Sequence, residues 1–246
     1  MKNNLLLILI KGELQRLTKY NVTTISFVVA LMWFLILYFI NDAGLLNSLL
    51  PMVLVIDATM MSIMFIGAIM FFEKSESTLS TMMVTPVSSQ DFVLSKAIAN
   101  TIHTVISSML VVIVFFFVRE VEIQWLLLIL ALIVSVFFHS LLGFFFSFHS
   151  KDFTGMLVGV ISYAFLVMVP SLLNNFDVAF KGETWEYILL ILPTQATIKL
   201  IEVGFGAPIE AKFFISLAFL VIIGTLGYFF YVLPKFKTYA VKQSGV

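Results

Sequence analysis

Residues 123–150 read IQWLLLILALIVSVFFHSLLGFFFSFHS, a stretch without Asp, Glu, Lys or Arg. Wound as a helix at 1.5 Å per residue it is about 42 Å long, more than the hydrocarbon core of about 30 Å. Five further windows have the same character: 20–41, 43–56 continuing to 72 across a lone Asp57, 97–118, 153–176 and 213–234. Each is long enough to cross a bilayer, which predicts an all-α membrane protein of six transmembrane helices. Composition agrees, with 61% hydrophobic residues, 11% charged residues and 27 Phe. A water-soluble chain of 246 residues would need far more charge to cover its exterior. The spans consume most of the chain, so residues 1–246 are expected to form a single transmembrane domain with no separate globular catalytic domain. The absence of Cys excludes disulfides, thiolate metal sites and cysteine nucleophiles.

Charge fixes an expected orientation. Lys2, Lys11, Arg16, Lys19, Lys74, Lys96, Lys151, Lys235, Lys237 and Lys242 fall on one side of a six-span chain. The other side has only Arg119, Lys181, Lys199 and Lys212, beside the acids Asp42, Glu120, Glu122, Asp177, Glu183, Glu186, Glu202 and Glu210. The positive-inside rule then puts both the N- and C-termini in the cytoplasm.

Three segments outside the spans carry signals. In residues 1–19, Leu7, Ile10, Leu14 and Leu17 share one helical face while Lys11, Gln15 and Lys19 share another. That pattern predicts an amphipathic helix lying in the cytoplasmic interface, an alternative being an extension of the first span. The apolar run Leu5–Ile10 is too short, and its flank too charged, for a cleavable signal peptide. Residues 73–91 form a cytoplasmic link in which Ser75 or Ser77 could cap a short helix. There Leu79, Met82 and Met83 would make an apolar knob facing away from the membrane, Pro86 would end the helix, and Ser89 or Asp91 would cap the next. Such a knob suits a partner protein or the chain's own bundle. Residues 174–211 contain an apolar window, 187–198, that is too short to span and holds Pro193, which predicts an external re-entrant segment between spans five and six.

Chemistry within the spans is sparse. Asp57 is the single intramembrane acid, with two candidate roles: contact with a cationic substrate or gate, or an interspan hydrogen bond. Met60, Met61 and Met64 join it as a candidate deformable pathway lining. His103, His139 and His149 lack the spacing of a helical metal pair, so no metal site is expected. No His-Glu-x-x-His, Gly-x-Ser-x-Gly or intramembrane aspartate pair occurs, and no catalytic residue is expected. Gly143, Gly155, Gly159, Gly224 and Gly227 could allow close helix approach.

The link resembles the coupling region of the type-2 ABC-exporter (ABC-2-type) permease family. Glu73, Lys74, Thr78, Leu79, Thr85, Pro86, Val87, Ser88 and Lys96 fit that family's pattern. Ser77 stands where Gly is usual, so a positive φ is not expected there, and Ser80 stands where an acid is common. Residues 10–17, Ile-Lys-Gly-Glu-Leu-Gln-Arg-Leu, are similar to the family's elbow helix before span one. Residues 137–141, 150–154 and 191–194 are most similar to small fluoroquinolone- or drug-export-like permease subunits.

The resemblance implies a non-catalytic permease subunit that forms the outward path for an amphiphilic drug or peptide. The alternatives are an exporter of lipid or lipid-linked material, or a non-transporting membrane sensor or immunity protein. It implies a second permease subunit (homo- or heterodimer) and cytoplasmic ABC ATPase partners, in a bacterial plasma membrane. No Walker A pattern occurs in the chain, so no cofactor is expected here and ATP and Mg would sit in the partner ATPase. It also implies that Glu73, Lys74, Glu76, Thr78, Leu79, Met82, Met83, Thr85 and Pro86 couple to the ATPase, with Lys11, Glu13 and Arg16 acting from the elbow helix.

Overall fold

A computed structural model describes residues 2–83, 85–118 and 121–242. Ten helices account for its regular structure, and there is no strand among the described residues. They are α1 (Lys2–Lys19), α2 (Val22–Tyr38), α3 (Gly44–Ser75), α4 (Thr78–Met83), α5 (Ser89–Phe117), α6 (Trp125–His149), α7 (Phe153–Asn175), α8 (Glu183–Leu189), α9 (Pro193–Gly204) and α10 (Ala211–Tyr239). Five of them, α3, α5, α6, α7 and α10, are long and apolar enough to cross a membrane. Two bent pairs, α1 with α2 at 65° and α8 with α9 at 116°, raise the number to seven if each is one span. The six apolar windows thus correspond to α2 and these five long helices.

Caps decide where several helices begin. The Asp42 carboxylate accepts from Leu45 N at 2.7 Å, and that of Asp152 accepts from Gly155 N at 2.7 Å, each satisfying an orphan amide of α3 or α7. At α5 the cap is Ser88, ahead of both Ser89 and Asp91, the two residues expected. Asp91 N donates to Ser88 Oγ at 3.1 Å while Ser88 Oγ donates back to Asp91 Oδ2 at 2.6 Å. Pro193 begins α9, where its missing N–H costs nothing. The corner between α1 and α2 is Asn21, at φ 59°, a conformation that Asn tolerates better than most residues.

The central helix is α6, which packs against α3, α5, α7, α9 and α10. Small residues allow this. A Cβ on Gly143 would lie 2.7 Å from the Ile66 Cβ and 2.9 Å from the Ile63 carbonyl, so α3 and α6 meet almost backbone to backbone. Gly159 and Gly224 also sit close to rings, of Phe146 and Phe138 respectively. Gly155 and Gly227 meet no other helix of this chain: a Cβ on Gly155 would touch only its own cap Asp152, and one on Gly227 would touch nothing among the described residues. Peripheral helices expose apolar side chains such as Phe165 and Leu166 of α7 and Phe230 of α10, as a lipid-facing surface requires.

Three of the long helices contain a π-helical turn: 57–61 in α3, 164–168 in α7 and 228–232 in α10. Each adds a residue to the local turn and rotates the face that follows. In α3 the turn begins at Asp57.

Candidate functional site

At the end of the bundle where α1 meets α3 and α5, four charged side chains converge. Lys96 Nζ of α5 donates to Glu13 Oε2 of α1 at 2.8 Å and is hydrogen-bonded to Glu73 Oε1 of α3. Arg16 Nη1, one turn beyond Glu13, lies 2.5 Å from Glu13 Oε1 and 3.1 Å from Glu73 Oε1. Two acids and two bases balance, and three of the four side chains are almost wholly buried. Lys96 also lies over the Phe92 ring, 4.5 Å from its centroid. Removing one member would leave an uncompensated buried charge, at a cost of about 3–5 kcal/mol. This clasp therefore binds three helices into one unit.

A second, more exposed layer lies beside it. Glu76, just past the end of α3, accepts from Lys19 Nζ at 3.0 Å and from the Tyr20 hydroxyl at 2.8 Å. Tyr20 stacks on Phe72 with ring centroids 4.9 Å apart. The hydrogen bond from Tyr20, followed by that from Lys19, holds the Glu76 carboxyl below the usual glutamate range. Burial, then the Glu76 carboxylate, pushes the Tyr20 hydroxyl upward. The corner between α1 and α2 is thus tied to the start of the link between α3 and α5.

The link departs from expectation at Ser77, and at Leu79 it decides between the two packings left open by the sequence. Ser77 adopts φ 56°, the left-handed conformation for which Gly is best suited, although the residue is Ser. Leu79 does not point away from the bundle. It is 1% exposed and belongs to a cluster with Ile66, Met70, Phe92, Val93 and Phe236. The apolar face of so short a helix is satisfied by its own protein. The Val84 residue and the side chains of Met82 and Met83 lie outside the described residues. Glu76, Thr81, Thr85, Pro86 and Ser88 are exposed, Thr78 and Lys74 are half-buried, and Glu73 is fully buried. Lys74 Nζ reaches the Lys151 carbonyl at 3.5 Å and lies 6.0 Å from the Tyr239 ring centroid, so the links after α3 and α6 and the end of α10 share this end of the molecule. Lys11 is exposed on α1 and stands outside the clasp formed by Glu13 and Arg16.

Within the spans, Asp57 Oδ2 accepts a hydrogen bond from Ser108 Oγ of α5 at 2.7 Å. Met60 and Met64 pack with Met156 and Val160 of α7, whereas Met61 packs toward Leu17 and Val22 at the α1–α2 corner. The four side chains therefore do not gather around one space. Other interspan bonds run from Asn100 Nδ2 to Ser140 Oγ at 2.8 Å and between His139 Nε2 and the Tyr163 hydroxyl at 3.1 Å. His139 Nδ1 sits 2.8 Å from the Ser135 carbonyl, which can only accept, so Nδ1 carries the proton and Nε2 accepts from Tyr163.

At the opposite end, Glu186 of α8 receives Lys212 Nζ of α10 at 2.7 Å, and Lys199 of α9 bridges toward Glu186 at 3.7 Å and Glu202 at 3.1 Å. These pairs fasten the α8–α9 hairpin to the start of α10. Gln195 Nε2 of α9 donates to Asn174 Oδ1 of α7 at 2.8 Å, which anchors the hairpin inward. Sequence reasoning placed Glu13, Arg16 and Glu73 among functional residues but did not see them as one cluster around Lys96. The available signal was the solitary position of Lys96 at the start of an apolar window, where an unpaired cation would be costly.

Compared with known families, residues 4–205 match the family model described as ABC-2 type transporter. No curated protein matches the chain.

Proposed function

We propose that this chain, which belongs to the ABC-2 type transporter family and is a membrane-spanning permease subunit of an ABC transporter, moves an amphiphilic drug or peptide outward using a separate ATPase. The observation that carries this reading is the buried clasp. Glu13, Glu73 and Lys96 come from α1, α3 and α5, so a push on the link after α3 must move the three helices together. The exposed positions Glu76, Thr81, Thr85, Pro86 and Ser88 supply the contact surface for a cytoplasmic ATPase, with α1 beside them. ATP and Mg belong to that partner, and this chain supplies no catalytic group.

Several further features follow from the same reading. The clasp end, where Arg16, Lys19, Lys74, Lys96 and Lys151 gather, is cytoplasmic, with both chain termini on that side of a cell membrane. α1 is the elbow helix at the interface, the α8–α9 hairpin is the external re-entrant segment, and residues 1–246 act as one domain. A second permease subunit completes the pathway. Asp57 serves as an interspan hydrogen-bond acceptor that holds α3 to α5 across the π-helical turn.

Co-purification tests the partner directly. An ABC ATPase is expected to accompany the tagged full-length chain from membranes, and Pro86→Arg at the exposed link is expected to release it while leaving the permease folded. If no ATPase accompanies the chain under conditions that preserve the bundle, a sensor or immunity role replaces transport. If the ATPase binds and hydrolysis responds only to lipid, the cargo is lipid or lipid-linked material.

A further inference from the structure

A groove of about 510 Å³ runs along the outside of the bundle between the α1–α2 corner and α5. All the polar side chains that line it lie in its half nearest the clasp: Thr18, Thr23, Ser26, His103 and Ser107. Beyond Ser26 on α2 and Ser107 on α5 the walls are wholly apolar, formed by Phe27, Ala30, Leu31, Phe34, Leu110 and Val114 among others. From Thr23 to Phe34 the groove extends about 16 Å along α2, the depth of one leaflet of a hydrocarbon core about 30 Å thick.

His103 lines the polar end, although its Nδ1 is itself buried, without a hydrogen-bond partner among the described residues and out of a ligand's reach. The cation beyond that end is what points to a ligand. Lys11 is exposed and makes no ion pair among the described residues. It precedes the groove residue Thr18 on α1 at the i, i+7 spacing that stacks side chains along a helix. Its long stem can lay the ammonium at the groove mouth.

We propose that the groove between α2 and α5 is a binding site for one anionic phospholipid of the leaflet on the α1 side. An acyl chain lies along Leu31, Phe34 and Leu110, the ester region meets His103 and Ser107, and the headgroup phosphate pairs with Lys11. The order of chemistry along the groove, from cation through hydroxyl and imidazole to hydrocarbon, matches the order along a phospholipid. An apolar helix from a second copy would gain nothing from the polar half, and Lys11 would find no partner on it. Calling this leaflet cytoplasmic rests on the orientation proposed above, but the groove and its occupant do not. By bridging α1 and α5 next to the clasp, the lipid would make the docking of α1 sensitive to membrane charge.

Native mass spectrometry of the full-length chain, released from detergent with phosphatidylglycerol or phosphatidylcholine added, tests the site. Wild type is expected to retain phosphatidylglycerol about fivefold more strongly, the effect of one lysine near an anionic surface. Lys11→Gln should remove that preference without removing lipid binding, and Ala30→Trp, which fills the apolar half, should remove the bound lipid. Equal retention of the two lipids by wild type overturns the assignment, and that comparison needs no variant to fold. So does undiminished retention by a monodisperse Ala30→Trp. An Ile106→Cys variant of this cysteine-free chain that forms intermolecular disulfides in bilayers would show a second copy in the groove and also overturn it.

Discussion

Ser77 holds a left-handed φ of 56° between two helices, a conformation that costs a side-chain-bearing residue about 1–2 kcal/mol. Part of that cost returns through the greater unfolded-chain freedom of Gly, so Ser77→Gly is expected to stabilise the protein by about half a kcal/mol. Thermal unfolding would register this as a rise of about 1–2 °C, and Ser77→Val should move the midpoint the other way. At the clasp the effects are larger. Lys96→Met leaves Glu13 and Glu73 buried without their shared cation and should cost about 3–5 kcal/mol, while Glu73→Gln added to it should recover part of the loss. Glu76 gives a pH dependence. Because its carboxyl titrates below the ordinary value of about 4.3, its tie to Tyr20 and Lys19 is fully present above that value. The tie is lost as pH falls through the lowered native pKa. The thermal midpoint should therefore fall more steeply below about pH 4.3 in wild type than in Glu76→Gln.

At the scale of elements, the link after α3 is where sequence and structure part. Its helix has six residues, too few for apolar periodicity to choose a direction, so Leu79 reads equally well as a knob for a partner or as core. The structure makes it core. Leu79→Ala should accordingly cost about 2–5 kcal/mol, whereas Thr81→Arg, at an exposed position on the same helix, should stay within about 0.5 kcal/mol on stability. A stability assay on the isolated permease separates the two. The long helices were legible because an uncharged window of some twenty residues has few other fates. Their contacts were not. Glu13 and Lys96 are 83 positions apart, and only the packing of α1 on α5 brings them together. Gly143 shows the same limit: its composition suggests close approach, but the chain alone does not say that Ile66 of α3 is what approaches. The positive φ at Ser77 was missed because residue preference argued against it; the turn between α3 and α4 overrides that preference.

Across the whole molecule, ion pairs concentrate at the two ends and leave hydrogen bonds such as Asp57–Ser108 and Asn100–Ser140 between them. The clasp fastens α1, α3 and α5 at one end, and Glu186, Lys199 and Lys212 fasten the α8–α9 hairpin to α10 at the other. The central α6 contacts both assemblies through α3, α5, α9 and α10, so it is the element through which a movement at one end can reach the other. A transporter needs such a link, because ATP binding outside the bundle and opening of the pathway must favour the same arrangement. The most direct measurement is drug- or peptide-stimulated ATP hydrolysis by the complete transporter in lipid vesicles, comparing wild type with Lys96→Met at a temperature where both remain folded. Lys96→Met is expected to keep its ATPase bound and its basal hydrolysis but to lose stimulation by cargo. Full stimulation in a folded Lys96→Met complex would contradict the claim that the clasp joins the ATPase to the spans.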